Sequence, residues 1–336
     1  MRNWWKVRCC IFVMAILSCF FANTVMASSE NVVVLGQDLS DEQEAQILNY
    51  FGADPKDVRI VYIDNQQERN YLGSWVSQNE IGNVTMSSAY VQPTEEGGIQ
   101  VKTANLTYVN SDVLATVLIT AGINNCNVIA AAPFPVSGTG ALTGVMTAYQ
   151  VAADNVFDSN KQNLAVREFV VTKQAAESIG EEQALQLVNA VKMQVIQSGA
   201  DANDTEQIEG IVSQVISEME QNSGSSVRSS NTPVGLSYED RLAIYELAIK
   251  IADQDYEYDD VKETLKRVDR NLYRSTNVRF AEDDYSVEDD YSDVEIDDIL
   301  DFDFGLGNGR TRSSDSILSG TNDDVFDPEF QSSTWD

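Results

Sequence analysis

The sequence predicts an α+β fold: a small mixed β-sheet with covering helices, then a C-terminal helical extension and a disordered acidic tail. Three observations carry this expectation. Short β-branched runs alternate with capped helical segments over residues 30–175. Two long apolar-striped helical segments follow with no strand between them. From residue 275 acids displace the apolar periodicity.

Residues 1–27 read as a secretory signal peptide and leave the fold argument. Arg2, Lys6 and Arg8 form a positive start, Cys9 to Phe21 an apolar run, and Val25-Met26-Ala27 a small-residue cleavage site. The run is shorter than the ~20 apolar residues of a membrane span, so the membrane is reached only through an uncleaved signal. Cys126 is then the one cysteine beyond the signal, and it reads as a small buried residue near a strand start.

The domain of residues 28–221 opens on Asn31 to Gly36, a short apolar β run. Ser40-Asp41-Glu42-Gln43 is a capping box, and Gly52 stops the helix that it starts. Val58 to Ile63 is a strand by its β-branched content, which completes a βαβ-like unit. Gln66 to Val76 reads as a short helix. Ile81–Val91 and Ile99–Val109 read as two strands around the Pro93–Gly98 turn, an antiparallel hairpin. Ser111 is placed as the cap of a helix that Gly122 ends, and Cys126 to Ala132 as a buried strand. After a helix from Gly138 to about Ala153, Arg167 to Val171 reads as a last strand. Thr172 then caps a short helix stopped by Gly180. Helices follow at about Glu181–Gln197 and Asp204–Gln221.

Residues 222–236 are a polar Ser/Gly/Pro-bearing linker. Residues 237–274 read as a helical hairpin that begins with the cap Ser237-Tyr238-Glu239-Asp240. In the tail of residues 275–336, Glu282-Asp283-Asp284-Tyr285-Ser286 recurs as Glu288-Asp289-Asp290-Tyr291-Ser292, with no Lys or Arg from Ala281 to Gly309. Like-charge repulsion there argues for disorder.

The formal charge is −31, and −34 once the three signal cations are set aside. Such a surface repels nucleic acid and favours a basic protein or an envelope component, with weak divalent-cation binding by the tail as a further expectation. The chain has no histidine, which removes Ser-His-Asp and Cys-His catalysis and histidine-ligated metals. No cofactor motif is present.

The stretch Ala130 to Gly144 is the centre of the domain: a buried strand end, the stiff Pro133-Phe134-Pro135 turn, and the glycine-bearing start of a helix. Ser137, Gly138, Thr139 and Gly140 are the candidate ligand-binding residues, because free N–H groups at a helix start bind anions. No lysine follows the glycines, so the phosphate-loop pattern is absent. The same glycines also suit a tight turn with close helix packing, and Ser137 or Thr139 as cap. A histidine-independent enzyme would use Ser137 with a lysine such as Lys102. In the tail, Asp301 to Gly309 imitates the opening of an EF-hand, but Arg312 stands where the bidentate glutamate belongs.

Ala132-Pro133-Phe134-Pro135-Val136-Ser137-Gly138, with Val34-Leu35-Gly36, Tyr71-Leu72-Gly73 and Val101-Lys102-Thr103 before Leu106-Thr107, resembles the YpuA-like family of secreted bacterial proteins, grouped as domain of unknown function 1002. The resemblance covers about residues 30–220. It implies a Gram-positive exported protein and brings no activity or catalytic residues with it. Residues and resemblance together lead to the expectation of a non-enzymatic, exported binding or interaction module, secreted or held at the envelope. The alternatives are an enzyme or anion-binding protein using the Ser137–Gly140 turn, and a cation-binding surface protein using the tail.

Overall fold

The computed structural model describes residues 30–152, 158–223 and 235–276. The signal 1–27, most of the linker and the tail beyond Thr276 lie outside the described residues. The fold is α+β, with a five-stranded mixed sheet in the order β2-β1-β3-β5-β4. Its strands are β1 (Val32–Gly36), β2 (Arg59–Ile63), β3 (Ser88–Pro93), β4 (Ile99–Leu106) and β5 (Cys126–Val136). β1 runs parallel to β2 and β4 parallel to β5, while β3 is antiparallel to β1 and β5.

The first helix, α1 (Asp41–Phe51), begins with the expected box: Ser40 Oγ accepts from Gln43 N, and Gln43 Oε1 accepts from Ser40 N at 2.9 Å. Gly52 closes it in the left-handed region at φ 66°. Period-two alternation in β1 then decides the layering. Val33 and Leu35 meet Ile47, Tyr50 and Phe51 of α1 on one face of the sheet. Val32 and Val34 join the main core on the other. That face is covered by α4 (Ser111–Thr120) and α5 (Thr139–Ala152). Two short helices, α2 (Asn65–Leu72) and α3 (Gln78–Ile81), lie between β2 and β3.

Several expectations are corrected. The hairpin does not form, because β5 lies between β3 and β4 and pairs with both. An apolar strand buried from Cys126 to Pro133 gains more from a central position than from an edge. The Pro93–Gly98 connection therefore spans a strand's width, with Asn125 Oδ1 accepting from Gly98 N at 2.8 Å. The strand expected from Ile81 starts only at Ser88, since Ser77 and Glu80 cap α3. The cap of α4 is Asn110, whose Oδ1 accepts from Val113 N at 2.9 Å, and Ser111 is its first residue.

Arg167–Val171 is no strand. It belongs to α6 (Ser159–Ile179), which Asp158 caps, and Thr172 lies inside it. Leu164, Phe169, Val171 and Ala175 of α6 are buried against the neighbouring helices, and this packing outweighs the local β preference of the Val pair. Gly180, at φ 95°, ends α6 where expected.

Behind α4 and α5 lies a helical layer of α6, α7 (Glu181–Ser198), α8 (Thr205–Ser223), α9 (Tyr238–Ala252) and α10 (Tyr258–Thr276). Ser237 and Asp240 form the expected box at α9. α9 packs on α6, α7 and α8, and α10 on α7 and α4, so both contribute to the core shared with the sheet. No helix among the described residues is long and apolar enough to cross a membrane.

Candidate functional site

The four sequence-chosen residues stand together at the end of β5 and the start of α5. Gly138, at φ 89°, makes the turn. Ser137 O accepts from Tyr108 N at 3.0 Å and Val109 N at 3.1 Å, which ties the turn to the segment after β4. Ser137 Oγ lies 3.2 Å from Thr139 Oγ1. Thr139 Oγ1 donates to Glu68 Oε2 at 2.8 Å, and the hydroxyl of Thr85 donates to the other carboxylate oxygen. Ala141 N donates to Ser87 Oγ at 2.8 Å. The start of α5 is thus capped from β3's approach and placed beside a carboxylate of the chain itself. Gly140 is needed for this closeness, since a Cβ there would lie 2.8 Å from Ser87 Oγ and 2.9 Å from Thr85 Cγ2.

Glu68, on α2, is buried with this cluster. Burial raises its pKa above the ordinary carboxyl value, the Thr85 and Thr139 hydroxyls pull it back, and Asp38 raises it further. Sequence reasoning missed Glu68, Thr85 and Ser87, because they are remote in the chain from Thr139 and sit in unremarkable polar stretches. Lys102 does not meet Ser137. Lys102 pairs with Ile129, four residues before the Leu106↔Val136 pair, a separation of ~13 Å along the strand. The thiol of Cys126 is fully buried, and burial pushes its pKa up to about 12.

A second buried polar cluster joins α4, α6 and α7. Lys192 Nζ donates to Thr116 O at 2.8 Å, Glu168 Oε1 at 2.8 Å and Thr120 Oγ1 at 3.2 Å, which uses all three protons. Thr120 hydroxyl in turn reaches Glu168 Oε2, and Tyr256 OH donates to Thr120 O at 2.6 Å. Burial lowers the Lys192 pKa and Glu168 opposes it. This cluster is closed to solvent and saturated.

An open cleft of about 190 Å³ lies where α4, α6, α7 and α10 meet. Asp112 comes from the first turn of α4, Glu181 and Glu182 from the first turn of α7. Asn271 Nδ2, from α10, donates to Asp112 Oδ1 at 3.0 Å. Val113, Leu185 and Leu272 supply apolar wall. Burial raises the pKa of Asp112, Asn271 lowers it and Glu182 raises it again. Lys173 is the one cation of the lining, and it is already engaged: its Nζ lies 3.2 Å from Glu181 Oε1 and 4.4 Å over the Tyr108 ring. The recess therefore holds carboxylates beside apolar surface. As first-turn acids, Asp112, Glu181 and Glu182 match the helix dipole, which gives the sequence no sign of the recess.

Among the described residues no group of three or more Cys, Asp or Glu could hold a metal ion. The profile of the DUF1002 family, described as protein of unknown function, matches residues 35–268, which takes in α9 and most of α10. The uncharacterized protein YpuA of Bacillus subtilis (strain 168) is 32% identical over 178 residues, 53% of this chain and 61% of the relative. This chain thus spans about three fifths of that relative's length. No solved structure matches.

Proposed function

The chain belongs to the DUF1002 family, and on that premise we propose that it is an exported, non-enzymatic interaction module whose Asp112 cleft receives one basic side chain of a partner. The size of the cleft carries the reading. At about 190 Å³ it is smaller than the ~300–1,000 Å³ of pockets for drug-sized ligands and cofactors. It holds a volume of roughly six waters, which is the scale of one long side chain. An aliphatic stem suits Val113, Leu185 and Leu272, and an ammonium or guanidinium head suits Asp112 and Glu182. The net charge of −31 draws such partners to the surface.

Other features support a binding role over a reaction. The chain has no histidine. Its buried thiol has a raised pKa, and Lys102 sits opposite Ile129, ~13 Å along the strand from the end of β5 that leads into Ser137. Export rests on the charged and apolar pattern of residues 1–27.

The test is a titration of residues 28–336 with the blocked tripeptide Ala-Lys-Ala and its norleucine counterpart, followed through the amide resonances of Asp112 and Leu185. Roughly five side-chain atoms at ~0.8 kcal/mol each give about 4 kcal/mol, a Kd in the millimolar range. Lysine-dependent shifts that vanish in Asp112→Asn are expected. Equal shifts with norleucine, or unchanged shifts in Asp112→Asn, would sink the proposal.

A further inference from the structure

We propose that the free edge of β2 takes an added strand: an extended segment of a basic partner, with cations at alternate positions, pairs antiparallel with Ile60, Val61 and Tyr62. This surface is separate from the Asp112 cleft, and the inference goes beyond the function proposed above.

The backbone defines the edge. β2 stands at one end of the sheet and pairs with β1 alone. Arg59 N donates to Asn31 O at 3.0 Å, and Gln37 N donates to Ile63 O at 2.8 Å, so the polar groups of Arg59 and Ile63 face β1. Alternation along the strand places those of Val61 with them and turns the N–H and C=O groups of Ile60 and Tyr62 outward. Among the described residues no hydrogen bond reaches these outward groups. The opposite end of the sheet differs. There Ile99 of β4 faces outward, and α10 takes both of its groups: Ile99 N donates to Thr264 Oγ1 at 2.7 Å, and Arg267 Nη1 donates to Ile99 O at 2.8 Å. Among the described residues β2 has no such cover, and it has no proline and no bulge, the devices that keep an exposed edge from pairing.

Charge selects the occupant. In an antiparallel pair, residues opposite Ile60 and Tyr62 exchange four ladder bonds with them, and their side chains take the same face as Ile60 and Tyr62. That is the α1 face, since Ile60 and Tyr62 stand beside Val33 and Leu35. Glu44 of α1 reaches the edge, its Oε2 accepting from Tyr62 OH at 3.2 Å, and Asp41 lies three residues before it on the same side of the helix. Arg59 points to the opposite face, where Glu30 lies 4.0 Å away. Asp54, Asp57 and Asp64 outnumber Lys56 around the ends of the strand. A lysine or arginine opposite Ile60 or Tyr62 therefore meets carboxylates, and the residue between them, opposite Val61, meets apolar surface on the other face. Main-chain bonds supply the affinity of such an added strand, and alternate side chains its selectivity. A second copy of this chain, with a net charge of −31, would set the same acids against each other.

The test is amide hydrogen exchange of residues 28–336, alone and with the blocked peptide Thr-Lys-Val-Lys-Thr. In the dilute chain alone, Ile60 and Tyr62 should exchange faster than Val61 and Ile63. Equal protection of all four puts another part of the chain on the edge and overturns the inference. At a peptide concentration ten times its Kd, exchange at Ile60 and Tyr62 should slow about tenfold. Methylating the two lysine backbone nitrogens keeps the charge and removes the donors, so that peptide should give no slowing, and neither should Thr-Glu-Val-Glu-Thr. Equal slowing with either one overturns strand addition by a basic segment. Asp41→Asn/Glu44→Gln should weaken the lysine peptide about threefold, and an unchanged Kd rejects the basic partner. Slowing that grows with protein concentration without peptide makes a second copy the occupant and overturns the inference. No slowing at ~10 mM peptide, where a millimolar Kd gives near-full occupancy, does so as well. Asp112→Asn should leave the slowing intact, and its loss would assign the effect to the cleft and overturn the β2 contact.

Discussion

Replacing Lys192 by Met should cost far more than replacing Lys192 and Glu168 together. Lys192 is 0% and Glu168 1% exposed at the side chain, and they meet at 2.8 Å. In Lys192→Met the Glu168 carboxylate loses its counter-charge and keeps one hydroxyl partner, Thr120. A buried charge left in this way costs ~3–5 kcal/mol. In Lys192→Met/Glu168→Leu no charge remains. Thr120 keeps Thr116 O as acceptor at 3.3 Å, and Tyr256 OH keeps Thr120 O. The double variant should therefore lie within ~1–2 kcal/mol of the wild type, since apolar replacement of a buried ion pair is often neutral or stabilising. The coupling energy across the cycle is then about 3 kcal/mol or more. Urea unfolding of the four chains measures it, with stability read from midpoints at constant slope. A single Lys192→Met that costs under ~1 kcal/mol, or a double variant that equals the sum of the singles, would refute the view that burial dominates this pair.

Glu68 makes a signed prediction in pH. Its folded pKa is raised above 4.5, first by burial. The native state holds that proton more tightly than the unfolded chain, so the stabilisation is complete below about pH 4.5 and is lost as pH rises through the folded pKa. Relative to Glu68→Gln, wild-type stability should fall over that window by at most ~1.4 kcal/mol per pH unit. Urea midpoints from pH 4 to 8 test this, and a flat difference contradicts it. The same Gly→Ala change should act in opposite directions at two sites. At Gly140 the added methyl meets Ser87 and Thr85 below 3.0 Å and should cost ~1–3 kcal/mol. At exposed Gly210, inside α8 with nothing within 4 Å, it should stabilise by ~0.5–1 kcal/mol, and thermal melts of the two variants separate the signs.

The residues of the chain determine by themselves what is settled within a few positions. Ser40 with Gln43 and Ser237 with Asp240 start helices, and Gly52 and Gly180 end them, because a cap or a left-handed residue acts on its immediate neighbours. The parallel β1–β2 pair followed from the same local spacing. The tertiary structure decides what depends on competition for burial. Residues 126–133 take the place between β3 and β4 that a hairpin would have closed, since a strand apolar on both faces is most stabilised in the middle of a sheet. Arg167–Val171 are helical because the face of α6 that carries Leu164, Phe169, Val171 and Ala175 is buried against other helices. The Ser137–Gly140 turn was visible from its glycines, but its contents were not: Ser87 arrives from 54 positions away and Glu68 from 71. Asp112 and Asn271 of the cleft are 159 positions apart, and only packing of α10 on α4 and α7 brings them together. Pairing across such distances has no local cost or reward for a sequence pattern to reveal.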